Sequence, residues 1–177
     1  MGFLLLSGGA PMPANAQKAD AGPGYAVTLT AYNAVPGQTD DTPFETASGA
    51  YSNPEIVAAR SQDLGKELPF GTIIELDGST VSSGGTCGFG VVERRIGYRV
   101  IADTMNARYT KRVDVLLDTK AEFQTTDKGM KNAAQILGIC KDVTIRVVGH
   151  VDINRIPKTQ AGLAALVNGS ANALALR

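Results

Sequence analysis

The chain has 177 residues, balances 17 Lys and Arg against 17 Asp and Glu, and is 44% hydrophobic, which suits one domain able to bury its own core. The even charge argues against nucleic acid or an anionic membrane as main partner, and no apolar run reaches the roughly 18 residues that span a bilayer. One histidine, His150, and two widely separated cysteines, Cys87 and Cys140, exclude a zinc site built on cysteine pairs.

Residues 1–16, MGFLLLSGGAPMPANA, read as the remnant of a secretory signal. A short apolar patch is followed by small residues ending in Ala14-Asn15-Ala16, which fits a small-x-small cleavage site. The basic leader segment is missing, so a plain disordered N-terminus is the alternative. Residues 17–24 read as a linker. Export to a periplasmic, wall-associated or extracellular location would leave Cys87 and Cys140 free to pair, the alternative being two buried thiols.

Residues 25–34, YAVTLTAYNA, alternate as a strand, with Val27, Leu29 and Ala31 on one face and Thr28, Thr30 and Tyr32 on the other. The polar stretch 35–54 is too long for a tight turn, and connections of that length are often functional. Within it Asp40 and Asp41 read as turn formers. A short buried strand is expected at 55–61, a turn with Pro69 and Gly71 at 64–72, and a strand at 72–76. A flexible insertion follows at 78–90, then a strand at 91–97.

The central stretch, YRVIADTMNARYTKRVDVLLD (98–118), holds two apolar strands around a polar loop. Asp103 closes the first strand and Asp114 sits near the start of the second, eleven positions later (114 − 103). An acid on an apolar strand is costly to bury unless paired or hydrogen-bonded. Two such acids brought together by one loop form an acid/base pair, since like charges at close range push one pKa up. The plainer alternative is two aspartates capping the loop backbone. Beyond them, a short helix is expected at 119–124, and a helix at 129–139 with Met130, Ala134 and Leu137 as its buried stripe. A strand follows at 142–151, where His150 near Asp152 reads as a hydrogen-bonded structural histidine, and the end is a terminal helix or a frayed tail. The division is then 1–24 signal remnant and linker, 25–155 folded domain, and 156–177 tail or helix. Many short strands with one or two short helices predict a mainly β fold, a small barrel rather than a βαβ sheet.

Five motifs in order carry a resemblance: TAYNA (30–34), TASG (46–49), LPFGT (68–72), and the two aspartates, the second in Arg112-Val113-Asp114. In these the chain resembles the three-aspartate (3D) domain family over roughly residues 27–148. That family includes the catalytic domain of membrane-bound lytic transglycosylase A and the muralytic stationary-phase survival proteins. The resemblance implies a six-stranded double-psi β-barrel, a monomer that acts on peptidoglycan glycan strands with no cofactor and no metal. It implies cleavage of the MurNAc–GlcNAc bond with closure of a 1,6-anhydro ring. Residue by residue, it makes Asp114 the general acid/base, Asp103 its supporting aspartate and Asp63 the first of the three acids. Tyr32, Thr46 and Ser48 match cleft-lining positions, and Arg108 and Lys111 are candidates for binding the carboxylates of the glycan. The chain departs from the family in one loop. Where the enzymes carry a glycine-rich segment after the first paired aspartate, this chain has Thr104 to Thr110, with Met105, Asn106, Arg108 and Tyr109 in place of small residues. Two other functions therefore stay open: a glycan-binding module without turnover, and a hydrolase that uses the aspartates as acid and base. An inverting hydrolase sets its carboxyls about 6.5–9.5 Å apart, a retaining one about 5–5.5 Å.

Overall fold

Strand alternation in the first segment sets the architecture. In the computed structural model, which describes residues 24–35, 37, 39, 42–78, 87–125 and 129–175, β1 (Gly24–Tyr32) buries Val27 and Leu29 and leaves its threonines half-buried. On one side β1 runs parallel to β5 (Arg112–Leu116), and on the other antiparallel to β8 (Cys140–His150). The remaining strands, β2 (Val57–Arg60), β3 (Thr72–Asp77) and β4 (Arg99–Thr104), complete a closed six-stranded barrel in the order β1-β5-β2-β4-β3-β8. Two pairings, β1 with β5 and β2 with β4, are parallel and the other four antiparallel. Closure leaves no open sheet edge. A separate hairpin pairs β6 (Glu122–Thr125) with β7 (Gly129–Asn132).

Among the described residues three α-helices accompany the barrel: α1 (Phe89–Ile96), α2 (Ala133–Leu137) and α3 (Gln160–Ala175). The expected strand at 91–97 is helical instead. Phe89, Val92 and Ile96 fall on one helical face and are buried, while Val91 is 57% exposed. The expected helix at 119–124 is a turn leading into β6, and that at 129–139 divides into β7 and a short α2. Met130, counted in its buried stripe, is 55% exposed. Asn132 ends the strand and starts the helix, its side chain accepting the Ala134 N–H at 2.9 Å. The C-terminal segment is helical, and Leu163 of α3 is fully buried with Ile56, Val100 and Leu116.

Cys87 and Cys140 form a disulfide, with Cα atoms 4.8 Å apart across a sequence separation of 53. It ties the segment just before α1 to the start of β8 and contributes about 4 kcal/mol in the chain-entropy account. Gly71, at φ +89°, is required by its surroundings, because a Cβ there would collide with the Val151 carbonyl oxygen. Its backbone bonds, Gly71 N–H to Ile101 and Val151 N–H to Gly71, draw the LPFGT turn against β4 and the end of β8.

Candidate active site

Strand register brings the two aspartates together. Across β1, β5, β2 and β4 the residues Thr30, Asp114, Ala59 and Asp103 are successive partners, with a register shift at Ala58/Ala59. Residues opposite one another on neighbouring strands face the same side of a sheet. The acids therefore meet across β2, which lies between their strands, rather than across the single loop that joins them in sequence. Their backbones are two strand spacings apart, roughly 9–10 Å. Ala59 is the spacer, and its small side chain leaves the carboxyls open to a cleft of about 810 Å³. Tyr32, Asp103 and Asp114 line that cleft, as do Met105, Arg108 and Tyr109.

The carboxyls are held differently. Asp103 is an acceptor three times over: Oδ1 takes the N–H groups of Ala47 (2.9 Å) and Thr104 (2.8 Å), and Oδ2 takes the Tyr32 hydroxyl (3.1 Å). This is how an ionised carboxylate is used. Burial, followed by the charge and hydrogen bond of Asp103, pushes the Tyr32 hydroxyl far above the usual phenol range. Asp114 has one buried oxygen, Oδ1, with no hydrogen-bond partner. Burial raises its pKa from 3.8 to about 6, against the opposing pull of the Thr30 hydrogen bond and the Arg112 charge. Asp103 adds to the rise only as the smallest cause, as the intervening strand would suggest. The expectation that Asp103 helps raise Asp114 holds in direction, but burial is the principal agent.

The other predicted residues divide. Arg108 lies on the cleft wall. Thr46 and Ser48 build the turn beside it: their hydroxyls are 3.0 Å apart, Thr46 also bonds both polar groups of the Ala50 backbone, and the Ser48 N–H reaches the Ala102 carbonyl. That turn aims the Ala47 N–H at Asp103, so the pair positions an acid rather than lining the cleft. Asp63 is not brought to the aspartate pair. It is exposed, accepts the Lys111 N–H at 2.9 Å, and is held below the usual carboxylate range chiefly by the Ser61 hydroxyl. Lys111, with φ +47°, thus belongs to the loop anchor and not to the cleft lining. His150 bonds the Phe70 carbonyl at 3.1 Å. Asp40 and Asp41 lie outside the described residues.

Sequence reasoning missed Ala59, whose role is purely one of register, and Glu45, a third carboxyl on the cleft wall. It also missed Thr30 as the partner of Asp114, although Thr30 opens the TAYNA motif and lies on the polar face of β1. Among the described residues, no group of three or more His, Cys, Asp or Glu side chains is placed to hold a metal ion, and no helix is long and apolar enough to cross a membrane. In comparisons with known proteins, no family model and no curated protein matches the chain.

Proposed function

We propose that the protein is an exported lytic transglycosylase of the three-aspartate type, built on a double-psi β-barrel and acting on peptidoglycan strands. The two parallel strand pairs within a closed six-stranded barrel support that topology, and the disulfide is compatible with export. The observation that carries the reading is Asp114: a buried carboxyl in an open cleft, with a pKa of about 6 and one oxygen without a partner. A group of this kind keeps its proton at mildly acidic pH and can yield it to a substrate oxygen bound in the cleft. In the reaction, the Asp114 proton passes to the glycosidic oxygen as the bond from the MurNAc C1 breaks. Positive charge grows on the sugar ring in the field of Asp103, whose carboxyl is held in place by three hydrogen bonds. The Asp114 carboxylate then takes the proton of the C6 hydroxyl, and that oxygen closes on C1. No water is consumed, and Asp114 ends protonated.

A second reading is a glycan-binding module of the same fold. It is favoured by one feature, the Met105, Arg108 and Tyr109 side chains on the cleft wall where the catalytic domains carry glycines. Digestion of purified peptidoglycan by the wild-type chain and by Asp114→Asn, with products weighed by mass spectrometry, separates the readings. Products ending in 1,6-anhydro-muramic acid, one water lighter than hydrolytic ones and absent with the variant, are expected. Free reducing ends would make the protein a hydrolase. Binding to sacculi without products would make it a binding module.

A further inference from the structure

The loop between β4 and β5, with the first residue of β5, sets two arginines against one tyrosine beside a cleft whose lining also holds the carboxyls of Glu45, Asp103 and Asp114. The Arg108 and Arg112 guanidiniums both lie over the Tyr109 ring, at 4.8 and 4.6 Å from its centroid. Arg108 also donates from Nη2 to the Tyr109 hydroxyl at 3.0 Å, its one side-chain hydrogen bond among the described residues. Stacking on an aromatic face holds a guanidinium in a fixed plane while its N–H edge stays available for a bidentate acceptor. Arg112 stands two residues before Asp114, its charge acts on that carboxyl, and its buried Nε has no hydrogen-bond partner. Among the described residues neither arginine forms a salt bridge, and the ion pair found is Arg146 with Asp77, away from the cleft lining.

We infer that Arg108 and Tyr109, backed by Arg112, form a carboxylate-binding subsite that selects glycan strands bearing an acid group beside the bond that is cut. The inference rests on the reading of the cleft as a glycan site and adds a specificity to it. A planar carboxylate matches the guanidinium fork. A monoanion suits this wall better than a dianion such as phosphate, because the nearby floor already holds Asp103 and Asp114 and like charges repel. The subsite also explains why this loop is not glycine-rich: it trades close backbone approach for a rigid cation on the wall.

The test measures binding to the Asp114→Asn protein, which removes turnover, by calorimetry at low salt. The probes are the tetrasaccharide of alternating GlcNAc and MurNAc and the same tetrasaccharide with its lactyl carboxylates converted to carboxamides. The acid form should bind about 10-fold tighter, as a charge-assisted bidentate pair would give. Adding Arg108→Gln should erase that preference. Arg108 is exposed, so this change should preserve the fold, which circular dichroism checks. Adding Arg94→Gln, on α1 and outside the cleft lining, removes the same net charge and should keep the preference. Equal binding of acid and amide, or a preference that survives Arg108→Gln, overturns the subsite and leaves the glycan reading standing. Binding of neither probe overturns both.

Discussion

Two charged groups are drawn into this barrel, Arg99 at the start of β4 and Asp114 on β5, and their surroundings differ in one respect. Arg99 is fully buried, and its guanidinium donates to five backbone carbonyls: Pro54, Val57, Arg95, Ile96 and Leu116. Burial lowers its pKa to about 9, opposed mainly by the charge of Glu55, so it stays a cation at neutral pH. It straps the loop before β2, the end of α1 and the end of β5 to β4. Asp114 is also desolvated, but one of its oxygens is left without a partner. Saturated with hydrogen bonds, a buried charge is structural. With a partner missing, it is poised to change protonation, and here that happens beside a cleft.

The largest expected effect comes from cutting the strap. Arg99→Met keeps much of the volume but strips donors from buried carbonyls, and should cost about 3–5 kcal/mol or prevent folding. Urea denaturation measures it, and a loss below about 1 kcal/mol would mean that Arg99 is no strap. Next is the pH dependence set by Asp114. Its pKa is raised in the folded state, so the folded chain keeps the proton longer than the unfolded one. Stability should therefore fall as pH rises from about 4 to about 6, by on the order of 2–3 kcal/mol, and stay lower above that. Asp114→Asn should flatten this fall and make the protein more stable than wild type at pH 8, as read by thermal melts across pH. An unchanged slope in the variant would place the titration elsewhere. The smallest change sharpens the contrast within the site. Thr30→Val keeps the β-branched shape but removes the hydrogen bond that holds the Asp114 pKa down. The descending, alkaline limb of the pH–rate profile should move to higher pH with the fold intact. A limb that moves down or stays in place would remove Thr30 from the site.

Much of the barrel was legible because strand alternation is local. The β1 pattern, the buried VAAR of β2, and the strands around Asp103 and Asp114 follow from residue order alone. Errors arose where a short apolar pattern fits two periods. Residues 91–97 hold adjacent valines and a later isoleucine, and only packing of Phe89, Val92 and Ile96 against the core selects the helix. The pairing of Cys87 with Cys140 also needed the fold, since 53 residues of separation say nothing about proximity.

The same division runs through the site. The sequence by itself singled out the two acids, because an aspartate on an apolar strand is conspicuous wherever the strand goes, and both Asp103 and Asp114 line the cleft. Only the tertiary structure decided how each is held. The insertion of β2 between their strands sets their spacing, the turn at Thr46 delivers a backbone N–H to Asp103, and nothing reaches Asp114 Oδ1. Desolvation and hydrogen bonding are properties of neighbours distant in sequence, so the difference between a carboxyl held on both oxygens and one with an unpartnered oxygen emerges only when the barrel closes.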